Sequence, residues 1–193
     1  MTRVKGSIAN VRRVVLFFFL CVILDHFLIS QHFATDVWPQ SLLKKADCRD
    51  AISDMHHLFP AQVEANRLRG HLPFGDVDDR VARLIGNGKT NHDKASEIQN
   101  GSWFEPREVS KGNVARAIFY IRTIYSGQLE KNKENVEFFD KMAKTLRKWH
   151  WDDLPDEREI RRTHEIERIQ GNCNPFVLKP KWVDEIYFSN TNN

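Results

Sequence analysis

Residues Asp54 to Gly75, DMHHLFPAQVEANRLRGHLPFG, constrain this chain more than any other stretch. Two adjacent histidines (His56, His57), a proline (Pro60), an asparagine (Asn66) and two arginines (Arg67, Arg69) stand in one short segment with turn residues. A segment made only to fill a core has no need of that polar inventory. The order predicts a strand, a sharp entry, a short helix and a loop. Pro60 suits the first helical position, where its missing N–H costs nothing. Ala61, Val63 and Ala65 let the helix continue, and Gly70 can end it. On this reading Asn66 lies near the helix end, its amide oxygen free for a hard cation or a phosphate-bound water.

The chain has 193 residues, enough for one sizeable domain. Its 29 basic residues nearly balance 26 acidic ones, for a net charge of +3, so any phosphate-binding patch must be local. Residues 14–24, VVLFFFLCVIL, are wholly apolar and follow a start that carries Arg3, Lys5, Arg12 and Arg13 without an acid. That is the pattern of an export signal and is short for a membrane span. Asp25 and His26 interrupt the run, and no small-x-small cleavage site follows. Residues 1–29 are therefore read as a signal peptide or an N-terminal anchor, with a buried helix as the plain alternative. Cys48 and Cys173 could pair in an oxidising compartment or remain free, and their spacing is not that of a zinc site.

Further along, Ser41–Asp50 allows a short helix, and residues 71–103 read as short strands and loops, with turns at Gly86-Asn87-Gly88 and Asn100-Gly101. A helix is predicted within 104–127, with Asn113 as N-cap, Val114, Ile118, Ile121 and Tyr125 on its buried face, and Gly127 at its end. A second, over 129–150, turns Val136, Phe139, Met142 and Leu146 inward. A third runs from Leu154-Pro155 through Ile169, its opposite charges spaced for intrahelical pairing. Asn172 and Asn174 turn the chain, and Pro180 opens a last short helix that packs through Trp182, Val183 and Ile186.

The Asp54–Gly75 stretch resembles the endonuclease I family of secreted and periplasmic bacterial nucleases. Three further segments agree, in the family's order: VWPQS at 37–41, FEPR at 104–107 with GNVAR at 112–116, and IQGNCNPF at 169–176. One match alone is weak, but four in register are specific. The resemblance implies an α+β fold, a small ββα-metal core embedded in a mainly helical single domain over residues 37–190. It implies a sequence-nonspecific endonuclease acting on DNA, with RNA as a second substrate, and working with one divalent cation, Mg²⁺. It also implies a secreted or periplasmic protein, monomeric and without a nucleotide cofactor.

One departure matters most. Where the family carries a Glu-His pair before VWPQS, this chain has Thr35-Asp36. In the family the histidine is the general base and the glutamate helps hold the metal. Asp36 can bind Mg²⁺, but a carboxylate is a poor general base near neutral pH. Carried over residue by residue, Asn66 and Asp36 become metal ligands, Asp36 and His57 the catalytic candidates, and Arg69 and Arg116 the phosphate contacts. The plain role for His56 and His57 is structural, as imidazoles bonded to backbone beside the site; His57 is the one chosen to stand in as base. The competing reading is a nuclease-like protein that binds nucleic acid without cutting it. A zinc module built on the histidines ranks last, because the spacing is wrong.

Overall fold

In the computed structural model, the described residues are 32–85, 95–99 and 101–189. The N-terminal signal or anchor, the Gly86–Gly88 turn, Asn100 and the tail from Asn190 lie outside them. Strand β1 (His32–Asp36) is followed by two short helices, α1 (Gln40–Lys45) and α2 (Arg49–Ile52). A single 3₁₀ turn, Met55–His57, leads into β2 (Leu58–Gln62), which pairs with β1. The chain then passes directly into helix α3 (Val63–Arg69). These elements make the ββα unit.

The predicted helix start was wrong. Pro60 lies in β2 and the helix begins at Val63, behind Gln62. A proline lacks a ladder donor, yet it is tolerated here because β2 has a strand on one side only. The predicted end was right. Gly70 has φ 51° and its N–H closes on the Asn66 carbonyl at 3.0 Å. Asn66 therefore lies mid-helix rather than at the end.

A second sheet is antiparallel, with β3 (Arg83–Ile85), β4 (Ser96–Gln99) and β5 (Trp103–Glu105) in that order. Gly75 runs against β5: a Cβ there would come within 2.5 Å of the Trp103 ring.

The core is built around α4 (Lys111–Ile124). Ser110, not Asn113, precedes it, and Tyr125 ends it, so Gly127 falls inside the following short helix α5 (Ser126–Leu129). Val114, Ile118 and Ile121 are buried as the spacing predicts, but so are Ala115, Ala117, Phe119 and Tyr120. A helix buried nearly all round carries no single stripe for periodicity to find. Phe119 sits among Phe139, Phe176, Tyr187 and Phe188, with ring centroids 5.1–6.4 Å away. Each such ring contributes roughly 1.5–3 kcal/mol by leaving water.

Helix α6 (Lys133–Asp152) packs along α4. Asn132 caps it by accepting from the Asn135 N–H at 3.1 Å. Phe139, Met142 and Leu146 face inward as expected; Val136 is only half-buried, and Asn135 takes the inward place beside it. That buried amide is fully used. It accepts from the Trp38 indole at 2.8 Å and donates to the Leu42 carbonyl at 2.9 Å.

Asp156 caps α7 (Glu157–Gln170), and Gly171 ends it in the left-handed region at φ 87°. Its charge pairs at Arg161–Glu157, His164–Glu167 and Arg168–Glu165 are intrahelical, as predicted. Glu159 and Arg162 are not part of that pattern; both turn into the protein. Asn174 turns the chain into α8 (Pro175–Leu178) by accepting from the Phe176 N–H. In α9 (Trp182–Tyr187) only Val183 of the predicted face is buried; Trp182 and Ile186 are exposed, and Tyr187 packs instead. Cys48 and Cys173 are both free thiols. The architecture is the expected α+β one, mainly helical, with the ββα unit set against the helical core.

Candidate active site

The end of β1, the start of α1, helix α3 and the turn after it enclose a pocket of about 250 Å³. Thr35, Asp36, Gln40, Ser41, Asn66 and His71 line it, with Arg69 at its wall.

Arg69 holds the wall together. Its side chain is buried, and its two terminal nitrogens donate to backbone carbonyls of β1 and the next residue, Asp36 (2.5 Å) and Val37. The guanidinium also lies over the Phe74 ring, 4.5 Å from its centroid. Burial lowers its pKa to about 10, with Asp36 pulling the other way, so it stays charged at neutral pH. Arg69 thus ties α3 to β1. The expectation of a phosphate contact is corrected, because its terminal nitrogens are committed inside the protein.

Asp36 divides its carboxylate. Oδ2 accepts from the Gln40 amide at 2.8 Å, while Oδ1 is buried with no hydrogen-bond partner. The His57 ring lies beside Oδ1, with Nε2 at 3.8 Å. Asn66 faces Thr35 across the pocket, and its Oδ1 accepts from the Thr35 hydroxyl at 2.6 Å. The amide oxygen is therefore not free, although a second lone pair remains.

His57 is fully buried and its Nε2–H donates to the Ala51 carbonyl at 2.6 Å. Burial lowers its pKa, against the opposing pull of Asp36, and keeps the ring neutral. Its other nitrogen, Nδ1, is shut inside the protein without a partner. No water can reach that lone pair, so the expectation of His57 as base is overturned and its structural role stands. His56 is similar: buried, with Nε2 bonded to the Asn172 carbonyl at 3.0 Å, and its pKa lowered by burial.

Arg116 is corrected as well. It is completely buried and forms a closed pair with Glu159, Nε to Oε1 at 2.8 Å and Nη2 to Oε2 at 2.5 Å. Nη1 donates to the Asp153 carbonyl at 2.6 Å. A guanidinium so enclosed ties α4 to α7 and cannot meet a phosphate. His71, by contrast, is a pocket residue that the sequence reading passed over. The available signal was its place directly after the helix-ending Gly70, five positions beyond Asn66.

The endonuclease I family model matches residues 30–181. The chain belongs to the endonuclease I family. It is 33% identical over 161 residues to an extracellular ribonuclease of Bacillus subtilis (strain 168), covering 78% of this chain and 52% of that protein. It is 34% identical, with the same coverage, to an extracellular ribonuclease of Bacillus amyloliquefaciens. An extracellular deoxyribonuclease of Aeromonas hydrophila is 30% identical over 132 residues, 65% of this chain and 49% of its own length. The chain spans about half the length of these curated relatives. Among the described residues no helix is long and apolar enough to cross a membrane, and no group of three or more His, Cys, Asp or Glu residues converges.

Within the family frame, Thr35 and Asp36 occupy the end of β1 that precedes VWPQS, and Asn66 stands opposite on α3. The ββα unit is intact around Thr35 and Asp36.

Proposed function

We propose that this chain is an exported endonuclease that hydrolyses phosphodiester bonds of DNA, and of RNA, with little sequence preference, using the Thr35–His71 pocket. One observation carries the reading: Asp36, whose carboxylate holds a partnerless oxygen, and Asn66 line the same pocket from the two arms of the ββα unit. An orphaned carboxylate oxygen is a costly feature that a bound cation would relieve. The donors also suit Mg²⁺, which binds through one or two carboxylates, accepts neutral oxygens and keeps several waters. Asp36 and Asn66 would hold that ion, and Thr35 would orient the Asn66 oxygen. When bound, the ion stabilises the charge that builds on the phosphate and its leaving oxygen.

The remaining work falls to side chains of this chain. Gln40 fixes the Asp36 carboxylate through its amide. Arg69 fixes β1 against α3, so the two ligand-bearing arms keep their separation. Arg67, exposed on α3, is left to hold the nucleic-acid backbone. Contacts of that kind give salt-sensitive, sequence-tolerant binding.

A second reading has its own support. The Thr35 hydroxyl already engages Asn66 at 2.6 Å, in the place where the family supplies a glutamate, which favours a protein that binds without cutting. One experiment separates the two. The full chain is incubated with supercoiled plasmid in Mg²⁺, with EDTA and with Asn66→Ala as controls. Nicking that vanishes in both controls supports the metal nuclease. Salt-dependent DNA binding without nicking supports the binder, and nicking that survives EDTA refutes the metal role.

A further inference from the structure

We infer that His71 is the general base of this site: it takes the proton of the attacking water, the task for which residue 36 offers no imidazole. The inference rests on the nuclease reading above.

The five histidines whose side chains the structure describes sort cleanly. His56, His57 and His150 are buried, and each commits Nε2 to a backbone carbonyl, those of Asn172, Ala51 and Pro180. The Nδ1 atoms of all three are enclosed without partners. His164 rides the outer face of α7 beside Glu167, at 3.3 Å. His71 alone among them is exposed to solvent and also borders the pocket that holds Asp36 and Asn66. No described side chain takes either of its ring nitrogens, so one remains available to a water.

The other lining groups cannot do this work. Thr35, Ser41, Gln40 and Asn66 have no useful basicity near neutral pH, and Arg69 is a fixed cation. The Asp36 carboxylate keeps Oδ1 out of solvent and Oδ2 on Gln40. An imidazole is the side chain whose basicity matches neutral operation.

The backbone that carries His71 is fixed. Gly70 takes φ 51° and ψ −113°, which turns the chain sharply at the end of α3. The Leu72 N–H then closes on the Arg69 carbonyl at 2.9 Å, and Arg69 itself is bolted to Asp36 and Val37. The residue after Gly70 is thus tied to the strand that carries Asp36, while its ring remains free to turn about two side-chain bonds.

The step is as follows. The water oxygen forms a bond to phosphorus as its proton passes to the free ring nitrogen of His71. The bond from phosphorus to the 3′ oxygen breaks, and that oxygen leaves with the electron pair and takes a proton from solvent. His71, now an imidazolium in a pocket with the Asp36 carboxylate, returns its proton to solvent.

The test uses the full chain, supercoiled plasmid and Mg²⁺, comparing wild type, His71→Ala, His71→Ala with added imidazole, and His164→Ala. His71→Ala should lower kcat by about 100-fold or more with KM little changed, the range expected for a lost general base. Free imidazole should restore part of the loss, and His164→Ala should cut like wild type. His71→Ala that turns over like wild type overturns the inference and leaves the nuclease reading standing. A rise in KM with kcat intact overturns it too, making His71 a phosphate contact. A wild type that binds plasmid without nicking it removes the nuclease reading and this role together.

Discussion

Replacing Arg116 by methionine should unfold this protein more readily without touching its substrate contacts. The Arg116 side chain is fully buried and Glu159 nearly so, and two short bonds join them directly. Removing one partner of a buried pair costs about 3–5 kcal/mol, because the other charge is left uncompensated. For a domain of this size each kcal/mol moves the melting point by about 2–4 °C, so a loss of roughly 6–20 °C follows. The cost should depend on pH. Burial pushes the Glu159 carboxyl above its usual range, and Arg116 is what pulls it back. Without Arg116 the carboxyl rises further and folds best when protonated. A group whose folded pKa is raised contributes stability below its unfolded pKa and loses it as pH rises through the folded value. Arg116→Met should therefore be weaker at pH 8 than at pH 5. Arg116→Met combined with Glu159→Leu should recover most of the loss, since two apolar groups leave no orphaned charge. Urea unfolding followed by circular dichroism at both pH values reads all of this. A single substitution costing under about 1 kcal/mol would refute the enclosed-pair reasoning. So would a double variant whose DNA-binding salt slope falls by about one unit, the mark of a lost phosphate contact.

Three further perturbations test the framework. His150 donates to the Pro180 carbonyl, and burial, aided by Arg116, pushes its pKa down to about 4. The unfolded chain binds that proton first, so stability should fall as pH drops from about 6.5 toward 4, and His150→Gln should flatten this limb in acid titrations of urea midpoints. A Cβ on Gly112 would lie 2.0 Å from the Asp153 carbonyl, so Gly112→Ala should push the start of α4 off the end of α6 and cost about 3 kcal/mol or more by the same urea assay. Asp54 accepts from Tyr120 at 2.7 Å, Tyr125 at 2.8 Å, Gln170 at 2.9 Å and the His56 N–H at 2.9 Å. Asp54→Ala strands these buried donors, and a drop of about 3 kcal/mol or more in unfolding free energy is expected.

The polar density of Asp54–Gly75 announced the site-bearing segment, because local chemistry is written in local sequence. Its helix start did not follow from Pro60, since the sequence does not show that β2 has an open side where a proline costs little. Arg116 read as a phosphate contact for a similar reason. Its partner Glu159 stands 43 residues on, and sequence spacing reveals only pairs three or four apart. Glu159 and Arg162 were hidden inside a run of intrahelical charge pairs, and nothing local distinguishes the residues that turn inward. The core helix was legible in its Val114, Ile118 and Ile121 stripe but not in its all-round burial. His71 stands within the Asp54–Gly75 stretch, but only the fold brings it into one pocket with Asp36.

The segment that leads into β2 is finished by residues made long after it. The Met55 N–H donates to the Gln170 side chain at 2.9 Å, and the His56 ring meets the Asn172 carbonyl at 3.0 Å. Arg162 donates to the carbonyls of Met55 at 2.6 Å and Leu58 at 2.8 Å. These bonds close loops of more than a hundred residues. On a ribosome the chain emerges from its N-terminal end, so residues 54–58 wait without these partners until helix α7 has appeared. Synthesis order thus becomes a timer: the turn into β2 locks only when helix α7 has been made, and a product truncated before residue 162 lacks every one of these ties.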